Sequence, residues 1–218
     1  MRFQDPETLQ SFGVEGMTAK ILCEPHNHDL SPLDTEAARF FSTLRDFDRD
    51  LRDAAESKTT EASIDGAKLE RWMLKLLAGL VYGDLISSAT LRRETPWLEI
   101  LFGLEGWPPG WGFHFVASDE TLYSFDGLEV STRTVEDEVW AAEMGVAGLK
   151  FYLCLGKPEG NPALLRRPAG LVMRRADRDA YKRLTFQWPS DPDTDWVELT
   201  RVGQYDGPRP QDGGYKEE

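Results

Sequence analysis

Apolar residues recur at Leu33, Ala37, Phe40, Phe41, Leu44, Phe47, Leu51, Ala54 and Ala55, and this spacing constrains the chain more than any other feature. The intervals are three or four residues, with Phe41 and Ala55 each one residue on from another stripe position, the pattern of a helix with one buried stripe. The other side carries Arg39, Arg45, Asp46, Arg49, Asp50 and Arg52. Ser31 suits an N-cap and Pro32 the first helical position, with Asp34 placed to favour the positive end of the helix. An amphipathic helix is therefore expected from Ser31 to about Ser57. Its stripe of phenylalanine and leucine must be buried against something else.

Asp65-Gly66 then breaks the chain and starts a second helix. Leu69, Trp72, Met73, Leu74, Leu76, Leu77, Leu80 and Val81 leave only a thin polar edge, so this helix belongs at the centre. A short third helix is expected between Thr95-Pro96 and Gly103. From Gly112 the period changes to two. Residues 112–135 alternate, with turn pairs at Asp119-Glu120 and Asp126-Gly127, and read as hairpins. Further strands are expected at 146–156, 169–175, 181–188 and 196–202.

Helices first and strands later predict an α+β fold, with N-terminal helices packed on a C-terminal antiparallel β-sheet. The simplest organisation is a single α+β domain over 1–203, with a helical layer at about 31–103 and a β layer at about 112–203. The segment 204–218 is rich in glycine, proline and charge and is expected to be a disordered tail.

Composition narrows the classes of function. With 38 acidic and 25 basic residues, the formal charge is −13. Such a field repels phosphate backbones, so a protein partner is favoured over nucleic acid. The opening MRFQDPETLQ lacks the apolar core of a secretory signal. The apolar run at 69–83 contains Glu70, Arg71 and Lys75 and is too short to span a bilayer. The 2 cysteines do not make a disulfide framework. A cytoplasmic protein without membrane attachment is expected.

One basic strip runs against the global charge. Arg166, Arg167, Arg174, Arg175, Arg178, Lys182 and Arg183 face only Asp177 and Asp179 between Leu164 and Arg183. Arg166, Arg167, Arg174 and Arg175 are candidate binding residues, and pairing with carboxylates across a sheet surface is the bland alternative. Trp107 and Trp111 flank a proline pair in the glycine-rich stretch 103–115. They suit either an aromatic platform for a ligand or a seal over the sheet edge. No P-loop, dinucleotide glycine pattern or G-x-S-x-G is present. Cys154 reads as core and His114 as a surface or satisfied histidine, so no catalytic residue is assigned.

The remaining motif is CEPHNHDLSPLD, residues 23–34. Cys23 and His26 have the C-x-x-H spacing with which two ligands on a bend meet one zinc ion. A structural zinc takes four ligands, and residues 1–22 contain neither cysteine nor histidine. Two chains each giving Cys23 and His26 would supply a complete set, which raises the possibility of a homodimer. Without a metal, Cys23 is a small core residue and His26 a polar residue of a helix-launching turn.

The stretch ILCEPHNHDLSPLDTEAARFF resembles the C-x-x-H-N-x-x-L-S-x-L-D motif of a group of uncharacterised bacterial proteins, and IDGAKLERWMLKLL at 64–77 resembles its continuation. That motif is in turn similar to the second half of the HNH endonuclease treble clef. The resemblance implies that Cys23 and His26 match the second zinc pair and Asn27 the central asparagine, with His28 beside them as a further binding candidate. It also marks the departures. No histidine precedes His26 to act as general base, Asp34, Thr35 and Glu36 stand where a metal-binding histidine belongs, and the first C-x-x-C pair is missing. Water activation and charge stabilisation both lose their groups. The expectation is a non-catalytic binding or accessory protein with a degenerate HNH-like turn. The alternative is a divergent or N-terminally truncated HNH-type nuclease whose upstream half precedes Met1.

Overall fold

The computed structural model describes residues 23–52, 59–83, 90–93, 95–116, 128–146, 149–158, 164–175, 181–189 and 195–201. The expected turns at Asp119-Glu120 and Asp126-Gly127, the helix end near Ser57, the opening decapeptide and the 204–218 tail lie outside these residues.

The α+β class holds. Among the described residues four helices, α1 (Glu24–Asp29), α2 (Ser31–Arg52), α3 (Gly66–Tyr82) and α4 (Trp97–Leu101), precede most of the strands. On α2 the expected stripe is the buried one: Leu33, Ala37, Phe40, Leu44, Phe47 and Leu51 are all enclosed, while Arg39, Arg45, Asp46, Arg49 and Asp50 face solvent. The helix begins at Ser31 itself, whose carbonyl accepts a hydrogen bond from Thr35 Oγ1 at 3.2 Å. On α3 no side chain from Ala67 to Val81 is fully exposed, as its nearly all-round apolar character requires. Asp65 caps this helix by accepting from Lys68 N–H at 3.0 Å. Gly66 follows because a Cβ there would lie 2.7 Å from the Trp188 ring.

The strands divide between two sheets rather than forming one. A four-stranded sheet has the order β1 (Thr60–Asp65), β9 (Tyr181–Gln187), β8 (Gly170–Arg175), β10 (Trp196–Arg201). A six-stranded sheet runs β2 (Thr90–Leu91), β5 (Glu138–Val146), β6 (Leu149–Cys154), β3 (Gly112–Val116), β7 (Leu164–Arg166), with β4 (Leu128–Val135) also paired to β5. Three ladders are parallel: β1 with β9, β8 with β10, and β2 with β5. The expectation of a purely antiparallel sheet is corrected at these three places. Each parallel pair joins strands far apart in sequence or separated by a long crossover, which local alternation does not reveal. Strand β1 also interrupts the stretch read as purely helical, and β5 was not anticipated at all.

An aromatic cluster ties the layers together. Phe40 of α2 meets Phe151 of β6 edge-on at 5.3 Å and Phe186 of β9 at 6.1 Å. Phe113 contacts Phe151, Phe186 and Trp188 at 5.6–5.8 Å. Offset and edge-to-face rings at these separations are the favourable arrangement. A void of about 10 Å³ among Phe40, Phe41, Trp72, Met73, Phe113 and Phe151 is lined only by apolar side chains and is no larger than one water. Around this void the described residues form packed core.

Candidate functional site

The 23–29 segment is a short helix rather than a bend. Pro25 stands in its first turn, Cys23 occupies the N-cap position, and Asn27 N–H donates to Cys23 O at 2.9 Å. One helical turn brings residues three apart together, so Cys23 Sγ lies 3.0 Å from His26 Nδ1. Cys23, His26, Asn27 and His28 are all exposed. The His26 ring meets Phe102, just past α4, edge-on at 5.4 Å. Among the described residues no group of three or more His, Cys, Asp and Glu side chains is placed to hold a metal ion.

The basic strip is split by the fold. Arg167 turns inward and is buried against Glu70 of α3, with Nε–Oε1 at 3.1 Å and Nη2–Oε2 at 2.9 Å. Its own backbone is left-handed, φ 48°, which aims the side chain off the end of β7. Glu70 Oε1 also accepts from Phe113 N–H at 2.7 Å. Burial pushes the Glu70 carboxyl above the usual carboxylate range, opposed by Arg167 and the Phe113 amide. Lys182 is likewise enclosed, its Nζ 2.9 Å from Asp50 Oδ2 and 2.6 Å from Thr60 Oγ1. Arg166 Nε donates to Trp111 O at 3.0 Å.

Arg174 and Arg183 instead point outward from the four-stranded sheet. Arg174 lies over Tyr181 at 5.4 Å, Arg183 lies over Tyr181 at 5.4 Å and over Trp196 at 5.2 Å. The register explains the ladder. Arg174 pairs with Tyr181, and Arg183 pairs with Val172, two residues from Arg174 on the same face. Trp196 enters from β10 and lies over Gly170, where any Cβ would run into its ring and the Leu184 carbonyl. Arg183 Nη1 also reaches Glu61 on β1 at 3.4 Å. Of Arg175 the backbone register on β8 is described and the side chain is not.

Trp107 and Trp111 are half-buried and pack against the core. Trp111 shares the Arg92 guanidinium with Trp140, at 4.9 Å and 4.1 Å. Arg92 Nη1 also donates to Leu155 O at 3.2 Å. His114 is buried, with Nδ1 3.0 Å from Gly112 O; burial lowers its pKa, the hydrogen bond to Gly112 opposes this, and Arg166 and Arg167 add to the lowering. Cys154 is buried and its thiol is pushed up to about 12 by burial.

Sequence reasoning missed Glu70, Arg92, Trp140, Tyr181 and Trp196 as site residues. The alternation Tyr181-Lys182-Arg183 carried a signal: its odd positions share one face and its even one the other. No such local signal linked Glu70 to Arg167, 97 residues away.

Comparison with known protein families, curated proteins and solved structures finds no match. No helix among the described residues is long and apolar enough to cross a membrane.

Proposed function

We propose that this chain is a non-catalytic binding or accessory protein that contacts a protein partner through the outer face of its four-stranded sheet, the HNH-like turn being degenerate. The observation that carries this reading is the ladder Arg174–Tyr181–Arg183–Trp196, with Trp196 still 37% exposed and Arg174 exposed. Tryptophan, tyrosine and arginine are the side chains that dominate binding energy at protein interfaces. The neighbouring rings restrain each guanidinium beforehand, so less freedom is lost when a partner docks. The −13 charge opposes a polyphosphate on the same surface.

The groups with chemical potential elsewhere are engaged structurally. Glu70 binds Arg167 and a backbone amide, His114 binds a carbonyl, and Cys154 is held as a thiol. A nucleophile or general base needs access and a poised pKa.

The test compares partners captured by the full chain with those captured by Arg183→Ala and Trp196→Ala, then measures each purified candidate by calorimetry. Either substitution is expected to weaken binding by at least about 2 kcal/mol. A partner bound equally by both variants would move the contact to another surface. The convergence of Cys23 and His26 supports one alternative, a divergent HNH-type nuclease. Divalent-metal-dependent cleavage of oligonucleotides, lost in Asn27→Ala or His26→Ala, would replace the binding reading with it.

A further inference from the structure

We infer that Cys23 and His26 are half of a zinc site completed by a second copy of this chain, the two copies meeting across the surface of α1 and α4. This goes beyond the sheet-face reading and does not depend on it, since it uses the opposite class of surface and a different ligand.

The first observation is donor geometry. Thiolate and imidazole ligands at zinc distances subtend about 3.6 Å when the metal is tetrahedral. Cys23 Sγ and His26 Nδ1 are 3.0 Å apart, both exposed, on side chains free to open by that difference. The His26 ring is oriented by its edge contact with Phe102, so one of the two ligands is already positioned. Glu24 and Asp29 are exposed on the same short helix and make its potential favourable to a cation. Zinc binding ionises the Cys23 thiol and releases its proton to the buffer, while His26 binds as the neutral ring.

The second observation concerns the surface around α4, which the His26 ring reaches through Phe102. Leu98 lies one turn before Phe102, whose N–H donates to Leu98 O at 2.9 Å, and is 44% exposed. Leu104, just beyond, is 78% exposed, and Tyr82, stacked on Trp97 at 5.2 Å, is 47% exposed. Large apolar side chains in one neighbourhood mark an interaction surface. A two-fold axis through the metal sets this surface against itself and supplies the second Cys23 and His26. Among the described residues the pair supplies two donors per chain, short of the four that a structural zinc takes, and a second copy supplies the other two. Each chain carries −13, so the copies repel and the dication becomes the determinant of assembly.

The experiment uses the full chain stripped with chelator, then titrated with Zn2+ or Co2+ alone and followed by light scattering after size exclusion. The expected result is a doubling of mass at half an equivalent of metal, reversed by chelator, with a Co2+–thiolate absorption band. Cys23→Ser and His26→Gln are expected to stay monomeric in metal with unchanged circular dichroism, since both side chains are exposed. Leu104→Glu is expected to require about tenfold more protein for the same dimer fraction. One metal per monomeric chain, an unchanged mass, or doubling that persists in Cys23→Ser would each overturn the inference.

Discussion

The Glu70–Arg167 pair gives the sharpest quantitative test of the fold. In Glu70→Gln the side chain keeps its size and an acceptor for Phe113 N–H, but the charge facing Arg167 is gone. Arg167 is 7% exposed and Glu70 1%, so the guanidinium has little water to turn to. Removing one partner of a buried ion pair costs about 3–5 kcal/mol. A domain of this kind has roughly 5–15 kcal/mol in total, so the loss takes a large share. Replacing both, as Glu70→Leu with Arg167→Met, removes the uncompensated charge. What then remains is mainly the orphaned Phe113 amide, at about 1–3 kcal/mol. The double variant is thus expected to be more stable than Glu70→Gln alone. Urea unfolding read by tryptophan fluorescence measures both, with Trp188, 5.6 Å from Arg167, as the local reporter. A Glu70→Gln protein within about 1 kcal/mol of the parent would refute the reasoning, because a buried charge cannot lose its partner so cheaply.

Three further outcomes are expected. A thiol reagent at pH 8 should label Cys23 in the native protein and Cys154 only after unfolding, since Cys154 is buried with its pKa at about 12; stoichiometry with and without denaturant checks this. His114 has a lowered pKa when folded, so the unfolded chain takes up its proton first as pH falls below the unfolded value of about 6.5. The native state should then lose about 1.4 kcal/mol per pH unit from this group until its own pKa is reached, and His114→Leu should remove that component of the acid limb. Gly66→Ala should destabilise by about 1–3 kcal/mol by forcing the Trp188 ring aside, breaking its Nε1 hydrogen bond to Pro168 O; thermal unfolding reads it directly.

Much of the helical layer was legible because its information is local. The six apolar residues that α2 buries were all on the predicted stripe, whereas its buried Glu36 and Asp48 were not, and Asp65 was recognisable as the boundary before α3. The strands β3, β6, β8, β9 and β10 fall within or close to the predicted runs. Strand β5 carries little sequence signal because Trp140-Ala141-Ala142-Glu143 does not alternate between apolar and polar residues. Strand β1 was hidden by its polarity, Thr-Glu-Ala-Ser-Ile-Asp, and is held as a strand by its parallel ladder with β9.

Sequence alone therefore decided the class of fold, the buried face of each main helix and the break at Asp65-Gly66. These follow from periodicity and capping, which act over a few residues. Tertiary structure decided how the basic strip was divided. Whether an arginine ends beside a buried carboxylate, as Arg167 does, or on an exposed aromatic ladder, as Arg183 does, depends on which distant strand or helix lies opposite it. Strand register and packing set that, and neither is written in the residues that surround the arginine.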